Sequence, residues 1–253
     1  RNYSKQTPGF KVLRAFLADG LLTNEGDSWF RQRRIAQPAF HHARIATFAK
    51  TMTTATTELA DRWDRDDQVV TNLTAEMMRL TLQIVGQTLL STDVTQEADR
   101  VGQALTVALH SANSAVDRLV DIPQWVPTPA NIRLRRALKA LDDVVYEMIR
   151  HRREHTHQTT DLLSILMDAS DEDTGETMSD RQLRDEVMTI FLAGHETTAL
   201  ALGWVWYLLS KHPLEAERLR NELAHVLGGQ PPSFDDLPHL TYTTKVIKES
   251  MRL

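Results

Sequence analysis

Four consecutive polar residues interrupt the most apolar stretch of this chain. His195-Glu196-Thr197-Thr198 lies inside the run from Val187 to Leu209, in which nearly every other residue is apolar. A buried, ionised carboxylate is costly unless it is paired, protonated or in contact with water, so Glu196 requires a compensating environment. An acid of this kind beside a hydroxyl can take up and deliver protons, which is the chemistry we expect of Glu196 and Thr197.

Gly194 precedes the polar residues and is a second anomaly, because glycine inside a helix costs about 1 kcal/mol relative to alanine. The hydroxyls of Thr197 and Thr198 can also compete for backbone carbonyls one turn back. These features predict a local opening of the helix, with a notch at Gly194 that suits a small polar ligand.

Other interpretations of this stretch give different expectations. The zinc-protease pattern His-Glu-x-x-His fails because Ala199 occupies the position of the second histidine. The polar residues divide the run into 187–194 and 199–209, each shorter than the roughly 20 residues that span a bilayer. A core helix with a few satisfied polar groups is the remaining alternative, and a helix that is apolar on all sides belongs in a protein interior.

Two further pairs have spacings suited to binding or pairing. Trp29 and Arg33 share a helical face, so an indole N–H and a guanidinium can point at one anionic group. A solvated basic face is the alternative, because Arg31 and Arg34 lie beside them. Glu249 and Arg252 are three residues apart, and taken alone they indicate an exposed helix pair.

The elements that must position these residues are predominantly helical, because apolar residues recur at three- and four-residue spacing. Pro, Gly and acidic clusters mark the breaks between them. The predicted helices are Asp27 to Ala36, His42 to Trp63, Thr71 to Leu90, Thr95 to Asn113, Pro129 to His155, Asp161 to Asp168, Ser179 to Lys211, Pro213 to Leu227 and Tyr242 to Leu253.

The bulk composition excludes several classes of function. Of 253 residues, 42% are hydrophobic and 25% are charged, which is typical of a globular protein. A net charge of −5 argues against non-specific binding of nucleic acid. The chain has no cysteine, so disulfides and thiolate metal sites are excluded within it. It begins with Arg1, and its last helix lacks a stop signal, so we expect one domain truncated at both ends.

Three motifs resemble those of the cytochromes P-450, in the order found in that family. Residues 193–198, Ala-Gly-His-Glu-Thr-Thr, resemble the oxygen-binding motif (Ala/Gly)-Gly-x-(Asp/Glu)-Thr-(Thr/Ser) of the central helix I. Trp29 and Arg33, followed by Pro38-Ala39-Phe40, resemble the Trp-x-x-x-Arg element of helix C. The segment from Glu249 to Arg252 resembles the Glu-x-x-Arg motif of helix K.

The resemblance, which is closest to the bacterial members, implies a mainly α fold. We expect residues 1–253 to form a single incomplete cytochrome P-450 domain with helices from about C to K. Most of the β-sheet and the cysteine loop would be absent.

The resemblance also implies a role for each motif around a haem b group. Trp29 and Arg33 would contact a haem propionate, and the haem pocket would include Ala193, Gly194 and Thr197. Oxygen would bind in the notch beside Gly194, with Thr197 donating a hydrogen bond there. Glu196 would relay protons. Glu249 and Arg252 would form a buried structural pair that supports the haem-binding loop.

The resemblance implies that the parent protein would be a haem-dependent monooxygenase, which would insert one oxygen atom from O₂ into an organic substrate with electrons from a reductase or ferredoxin. The resemblance implies that the apolar residues Leu21, Leu22, Leu192 and Ala193 line the cavity for an apolar substrate such as a fatty acid or terpenoid. Residues 95–129 would form part of an access lid. We expect no nucleic-acid partner, no membrane segment and a cytoplasmic location.

The axial cysteine ligand of the haem iron is not in this chain, so we expect the 253-residue chain alone to be inactive. It should also lack the carbon-monoxide difference spectrum of a haem-thiolate protein. A haem-thiolate enzyme that uses or rearranges peroxide is an alternative, although the acid–threonine pair favours activation of O₂. For the chain by itself, a non-catalytic helical scaffold is a further alternative.

A di-iron carboxylate site is a rival reading, because Glu154/His157 and Glu222/His225 both follow the Glu-x-x-His spacing. Their surroundings argue against it, since the first pair lies at a charged helix end and the second lies beside an apolar stripe. His151 and His155, four residues apart, favour exposed helix-end histidines over a metal site.

Overall fold

The computed structural model is mainly helical over the residues it describes, which are 4–65, 72–90, 102–108, 110–111, 125–154, 161–171 and 175–253. Within these ranges the extended pairing consists of an isolated antiparallel bridge between Ser170 and Thr177. The mainly α class predicted from the sequence is therefore confirmed. The helices are α1 Pro8–Leu17, α2 Gly26–Ala36, α3 His42–Arg65, α4 Leu73–Leu90, α5 Pro129–Glu154, α6 Leu162–Asp168, α7 Asp180–Lys211, α8 Pro213–Leu227 and α9 Thr241–Arg252, with 3₁₀ helices η1 Gln37–Phe40 and η2 Phe234–His239.

The predicted helix ends are confirmed to within two residues for α2 to α9. For α8 both ends agree, because Pro213 begins the helix and Gly228 ends it in the left-handed conformation at φ 57°. The predicted helix at 95–113 is observed at residues 102–108 and 110–111, and its remainder lies outside the described residues, as does most of the predicted lid.

Sequence reasoning missed α1. Its start is marked by Thr7, whose hydroxyl accepts a 3.5 Å hydrogen bond from the Phe10 amide, and by Pro8 at the first helical position. Thr-Pro is a recognisable start signal.

The chain forms two compact units, and the first consists of Arg1–His41 together with Leu89–Leu192. Its core includes a stripe along α5 at three- and four-residue spacing and three leucines of α6. Two ion pairs, Arg184–Asp142 and Arg34–Asp171, connect elements that are distant in sequence. The stripe is Leu134, Ala137, Leu141, Val145 and Ile149, and the α6 leucines are Leu162, Leu163 and Leu166.

The second unit consists of His42–Thr88 together with Ala193–Leu253. Its core cluster comes from α3, α4 and α7, and its members are Ala55, Leu59, Met77, Leu80 and Ala199. The 3₁₀ helix η2 packs on α3, where the rings of His42 and Phe234 lie 4.8 Å apart, edge to face.

The expectation that the apolar run of α7 lies wholly in the interior is wrong for its C-terminal half. Trp204 and Tyr207 are 58% and 52% exposed, and Leu200 is 42% exposed. The opposite face, including the fully buried Ala199, packs into the core cluster of the second unit. The described residues thus cover only the Ala199 side of the C-terminal half of α7.

Among the described residues, none of the helices combines the length and the apolarity needed to cross a bilayer.

Candidate functional site

The predicted oxygen-binding motif lies on α7, which continues without interruption from Asp180 to Lys211. Ala193 and Thr197, one turn apart, are both exposed. The Thr197 hydroxyl donates a hydrogen bond to the Ala193 carbonyl, so the predicted competition of a threonine for a carbonyl one turn back is confirmed. The predicted opening of the helix is not found, because this side-chain bond is added to an intact helix.

Gly194 has a packing role in the second unit. A Cβ atom built at this position would lie 3.2 Å from Cγ2 of Val85 on α4, which is tighter than ordinary van der Waals contact. The missing side chain therefore leaves room for Val85. The predicted free notch at Gly194 is therefore not found, because Val85 of α4 lies against the space that a Cβ atom would take.

His195 connects α7 with α4. Its carbonyl accepts a 3.0 Å hydrogen bond from the buried Thr81 hydroxyl, and the side chain is hydrogen-bonded to the Met78 backbone. Burial lowers the pKa of His195, so the neutral imidazole is favoured. This histidine is a packing residue. The described ranges hold no group of three or more His, Cys, Asp or Glu side chains that could bind a metal ion.

Glu196 is half-buried, and that burial raises the pKa of its carboxyl group. Among the described residues no side chain or backbone group forms a hydrogen bond with it. The group therefore holds a proton at higher pH than an ordinary glutamate does, which is the environment expected of a proton-exchanging acid. Its role as a relay remains a prediction.

Trp29 and Arg33 lie on one face of α2, as predicted, and their side chains contact each other, while their binding of a common anion stays a prediction. The indole N–H of Trp29 donates a 3.0 Å hydrogen bond to the Leu21 carbonyl. The Arg33 guanidinium lies over the indole ring, with Cζ 5.4 Å from the ring centroid. Arg33 is exposed, and in the described ranges no carboxylate pairs with it, so its donors are available to an anion.

The two predicted substrate-lining leucines follow α1 in a short turn, and Leu21 is held at both ends of its backbone. Its amide donates a 3.1 Å hydrogen bond to the Glu186 carboxylate. Its carbonyl accepts from Trp29 and, at 3.3 Å, from the Lys5 ammonium. Leu22 is 43% exposed. Sequence reasoning missed Lys5 and Glu186. Their side chains contact backbone atoms of Leu21, and a backbone partner leaves no pattern in the sequence.

The other predicted lining residues, Leu192 and Ala193, differ in exposure. Leu192 is buried, at 8% exposure, and Ala193 is exposed. Their place in a substrate cavity stays a prediction.

Glu249 and Arg252 form the predicted pair at the end of α9, with Arg252 Nη2 2.6 Å from Glu249 Oε1. The two side chains are 56% and 65% exposed, so the buried environment implied by the resemblance is not found in this chain. The pair therefore has the character of an exposed helix salt bridge here. Glu249 also lines a pocket with Leu209 of α7 and Glu215 of α8.

The di-iron alternative fails at Glu222, which caps the N-terminus of α9. Its carboxylate accepts hydrogen bonds from the amides of Tyr242, at 2.6 Å, and Thr243, at 2.8 Å. Two threonine hydroxyls add further bonds. These contacts use both carboxylate oxygens. His155 and His157, from the other proposed metal pairs, lie outside the described residues.

The residues present fit a haem group in part. An exposed guanidinium at Arg33, with no carboxylate partner within the described ranges, has the chemistry to bind a propionate. Ala193 and Thr197 form an exposed patch of small side chains with one hydroxyl, and its contact with a bound ligand stays a prediction. Trp29 fits only after its N–H leaves the Leu21 carbonyl, because an indole has a single donor.

Comparison with known proteins matches residues 2–253 to the family model for cytochrome P-450. Cyclooctatin synthase of Streptomyces melanosporofaciens is 35% identical over 100% of this chain and 55% of its own length. Pentalenene oxygenase of Streptomyces avermitilis is 37% identical over 95% of this chain and 53% of its own length. Cyclooctat-9-en-7-ol 5-monooxygenase of Streptomyces melanosporofaciens is 34% identical, over 96% and 53% respectively.

The chain thus spans about half the length of the curated relatives it matches. The family match covers all three motifs, and these relatives are bacterial, as the resemblance implied. The order of the motifs, the mainly α fold and the family match together show that this chain belongs to the cytochrome P-450 family.

Proposed function

We propose that the full-length protein is a haem-dependent monooxygenase that inserts one atom of O₂ into an apolar organic substrate, with electrons from a reductase or ferredoxin. The observation that carries the proposal is the exposed Ala193–Thr197 face of α7 beside the half-buried Glu196. The names of two relatives specify oxygenation of pentalenene and of cyclooctat-9-en-7-ol, which supports the reaction class.

The haem, when bound through a cysteine that lies outside these 253 residues, supplies the oxidation chemistry. Arg33 would hold a propionate. The Thr197 hydroxyl has one proton, which it donates to the Ala193 carbonyl, so it must rotate before it can donate to a ligand on the exposed face. Glu196 would then resupply that position with protons, because burial raises the pKa of its carboxyl group and so favours the protonated form.

The test is Thr197→Ala in the full-length enzyme, with product and hydrogen peroxide measured for each NADPH consumed. Loss of the hydroxyl removes the proton donor, so we expect the peroxide fraction to rise several-fold and product to fall. Thr57→Ala is the control, since Thr57 makes the same bond to a carbonyl one turn back, at 3.0 Å, on α3. Unchanged coupling in Thr197→Ala, or product that forms with added peroxide but not with O₂ and NADPH, would contradict the proposal.

A further inference from the structure

We propose that Glu186 is a positioning residue for the substrate cavity, and that it acts by fixing the backbone of the Leu21–Leu22 segment against α7. This inference rests on the proposed function and on the predicted place of Leu21 and Leu22 at the substrate cavity, which the family resemblance implies. The contact itself lies wholly within the first unit and stands on geometry alone.

The first step is the position of Leu21. Its amide bonds Glu186, and its carbonyl bonds Trp29 and Lys5, so side chains from three separate parts of the chain fix one residue. We call Glu186, Trp29 and Lys5 the Leu21 anchor. Fixing the two peptide units that flank Leu21 restricts rotation about its backbone, and with it the directions that the Leu21 side chain can take.

The second step is the close approach of the segment to α7. A Cβ atom at Gly20 would clash with the Thr189 hydroxyl and would lie 2.6 Å from the Asp185 carbonyl oxygen. The Asp19 amide adds a 3.3 Å hydrogen bond to Asp185. Glycine at position 20 is therefore what lets Leu21 come within hydrogen-bond distance of Glu186.

The third step is the cost of the arrangement. Glu186 is fully buried, and among the described residues its Oε1 atom has no hydrogen-bond partner. Burying a carboxyl group with one oxygen that accepts no hydrogen bond lowers the stability of the folded state. Burial raises the pKa of this carboxyl group, in line with that cost. An apolar residue would fill the helix face at lower cost, which indicates that the contact with Leu21 serves a purpose beyond packing.

Two parts of α7 would therefore have different roles, one in positioning Leu21 and the other in handling protons. Glu186 lies about two helical turns before Ala193 in the same helix. It touches no reacting group, and it determines where Leu21 and Leu22 stand. Its loss should therefore alter which apolar molecules bind, while the proton-handling residues of the oxygen motif stay unchanged.

The experiment compares wild type, Glu186→Ala, Glu186→Gln and Gly20→Ala in the full-length protein. Amide hydrogen exchange is measured for the peptide that contains Leu21. We expect exchange to rise at least tenfold in Glu186→Ala, which has no acceptor, and in Gly20→Ala, which pushes the segment away. The carbonyl of glutamine can still accept from Leu21, so Glu186→Gln should remain within about threefold of wild type.

The matched control is Asp171→Asn, which alters another fully buried carboxylate of the first unit, bonded to Arg34 rather than to Leu21. Its exchange at Leu21 should equal that of wild type. Equal exchange in Glu186→Ala and wild type would overturn the anchor.

Selectivity is measured as the ratio of the dissociation constants of two uncharged probes, dodecan-1-ol and farnesol, by equilibrium dialysis. We expect Glu186→Ala to change the ratio at least threefold and Glu186→Gln to restore it. Faster exchange with an unchanged ratio would overturn the positioning role. Failure of wild type to bind either probe would contradict the apolar substrate of the proposed function, and the exchange measurement would still decide the anchor.

Discussion

At the scale of single residues, Glu186 has the most strongly altered acid–base behaviour in the described chain. Burial raises the pKa of Glu186 to about 7, and the negative charge of Asp185 adds to the rise. The hydrogen bond from the Leu21 amide acts in the opposite direction, because it favours the ionised form. The desolvation effect exceeds the hydrogen bond, so the carboxyl group is protonated in mildly acidic solution.

The contribution of Glu186 to the stability of the protein should therefore fall as pH rises from about 4.5 to about 7. In the unfolded chain Glu186 ionises near its ordinary pKa of 4.5, whereas in the folded protein it ionises near 7. Between these values the folded state binds more protons, so this contribution is complete at low pH and is lost by about pH 7. We expect Glu186→Gln to remove a decline of about 1 to 3 kcal/mol in the free energy of unfolding.

Urea unfolding of the full-length protein at pH 5 and pH 8 measures this decline. Wild type should lose more stability between the two values than Glu186→Gln does. Equal losses of unfolding free energy in wild type and Glu186→Gln would show that the pKa of Glu186 is the same in the folded and unfolded states. Asp185 is the charged neighbour to control for, and Asp185→Asn should leave a smaller decline, since the like-charge repulsion is gone while burial remains.

Sequence reasoning found the residues whose chemistry is carried by local spacing and missed those that act through tertiary contacts. Thr197 and Glu196 were identified because a hydroxyl and an acid inside an apolar run are anomalous wherever the run folds. Glu186 was missed because its partner, the Leu21 amide, is 165 residues away in the sequence. Trp29 was found, but its actual acceptor, the Leu21 carbonyl, could not be inferred from spacing.

At the scale of the elements, α9 depends on a side chain from another helix for its N-terminus. The first amides of a helix have no partner within it, and α9 lacks a side-chain cap of its own. Glu222 of α8 accepts from the Tyr242 and Thr243 amides instead. The negative charge also lies at the positive end of the helix dipole.

Glu222→Ala should therefore destabilise the protein by about 1 to 2 kcal/mol, the range found for lost helix caps. Circular dichroism during thermal unfolding measures the loss. Glu217→Ala, which changes an exposed glutamate on the same helix, should leave the unfolding temperature nearly unchanged. Equal effects of the two substitutions would mean that the cap contributes little.

The pKa of Glu222 bears on the same cap. Partial burial would raise it, but the hydrogen bonds from the Tyr242 and Thr243 amides outweigh burial and lower it. A lowered pKa in the folded state means that the contribution is present above pH 4.5 and is lost on acidification. The stabilising effect of Glu222 should thus vanish in acid, while the difference between Glu217→Ala and wild type stays small throughout.

Helix bounds were predictable because start and stop signals are local. Pro213 and Gly228 fix α8 at both ends, and the intervening apolar spacing fixes its type. Exposure was less predictable. An apolar run such as that of α7 shows that partners are needed, but it does not show which face the described chain covers, and Trp204 lies on the uncovered face.

At the scale of the whole molecule, the absence of cysteine governs what the 253 residues can do. A haem-thiolate bond needs a thiolate, and none is present in this sequence. We expect the 253-residue polypeptide, reconstituted with haem and reduced under carbon monoxide, to lack the difference spectrum of a haem-thiolate protein. The full-length protein, treated identically, is the positive control. A haem-thiolate spectrum from the 253 residues alone would refute the expectation.

The family was predictable from the sequence because three motifs at fixed order are improbable by chance, and the match over residues 2–253 confirms it. The environment of each motif was predictable only in part. Glu249 and Arg252 pair as expected but are exposed, because their burial requires atoms that the described chain does not supply. The order of the motifs can be read from the sequence alone, whereas the burial of a motif depends on the residues that pack around it.

The contact between Trp29 and the Leu21 carbonyl also makes the protein its own optical probe. When every other tryptophan of the full-length protein, including the other four of this chain, is replaced by phenylalanine, the Trp29 indole senses Leu21 directly. In haem-free protein, transfer of its N–H from the carbonyl to water moves the fluorescence to longer wavelength. Haem bound as proposed would quench the same emission by energy transfer. Wavelength would then follow the Leu21–Leu22 segment, and intensity would follow loading of the cofactor, in one sample and in real time.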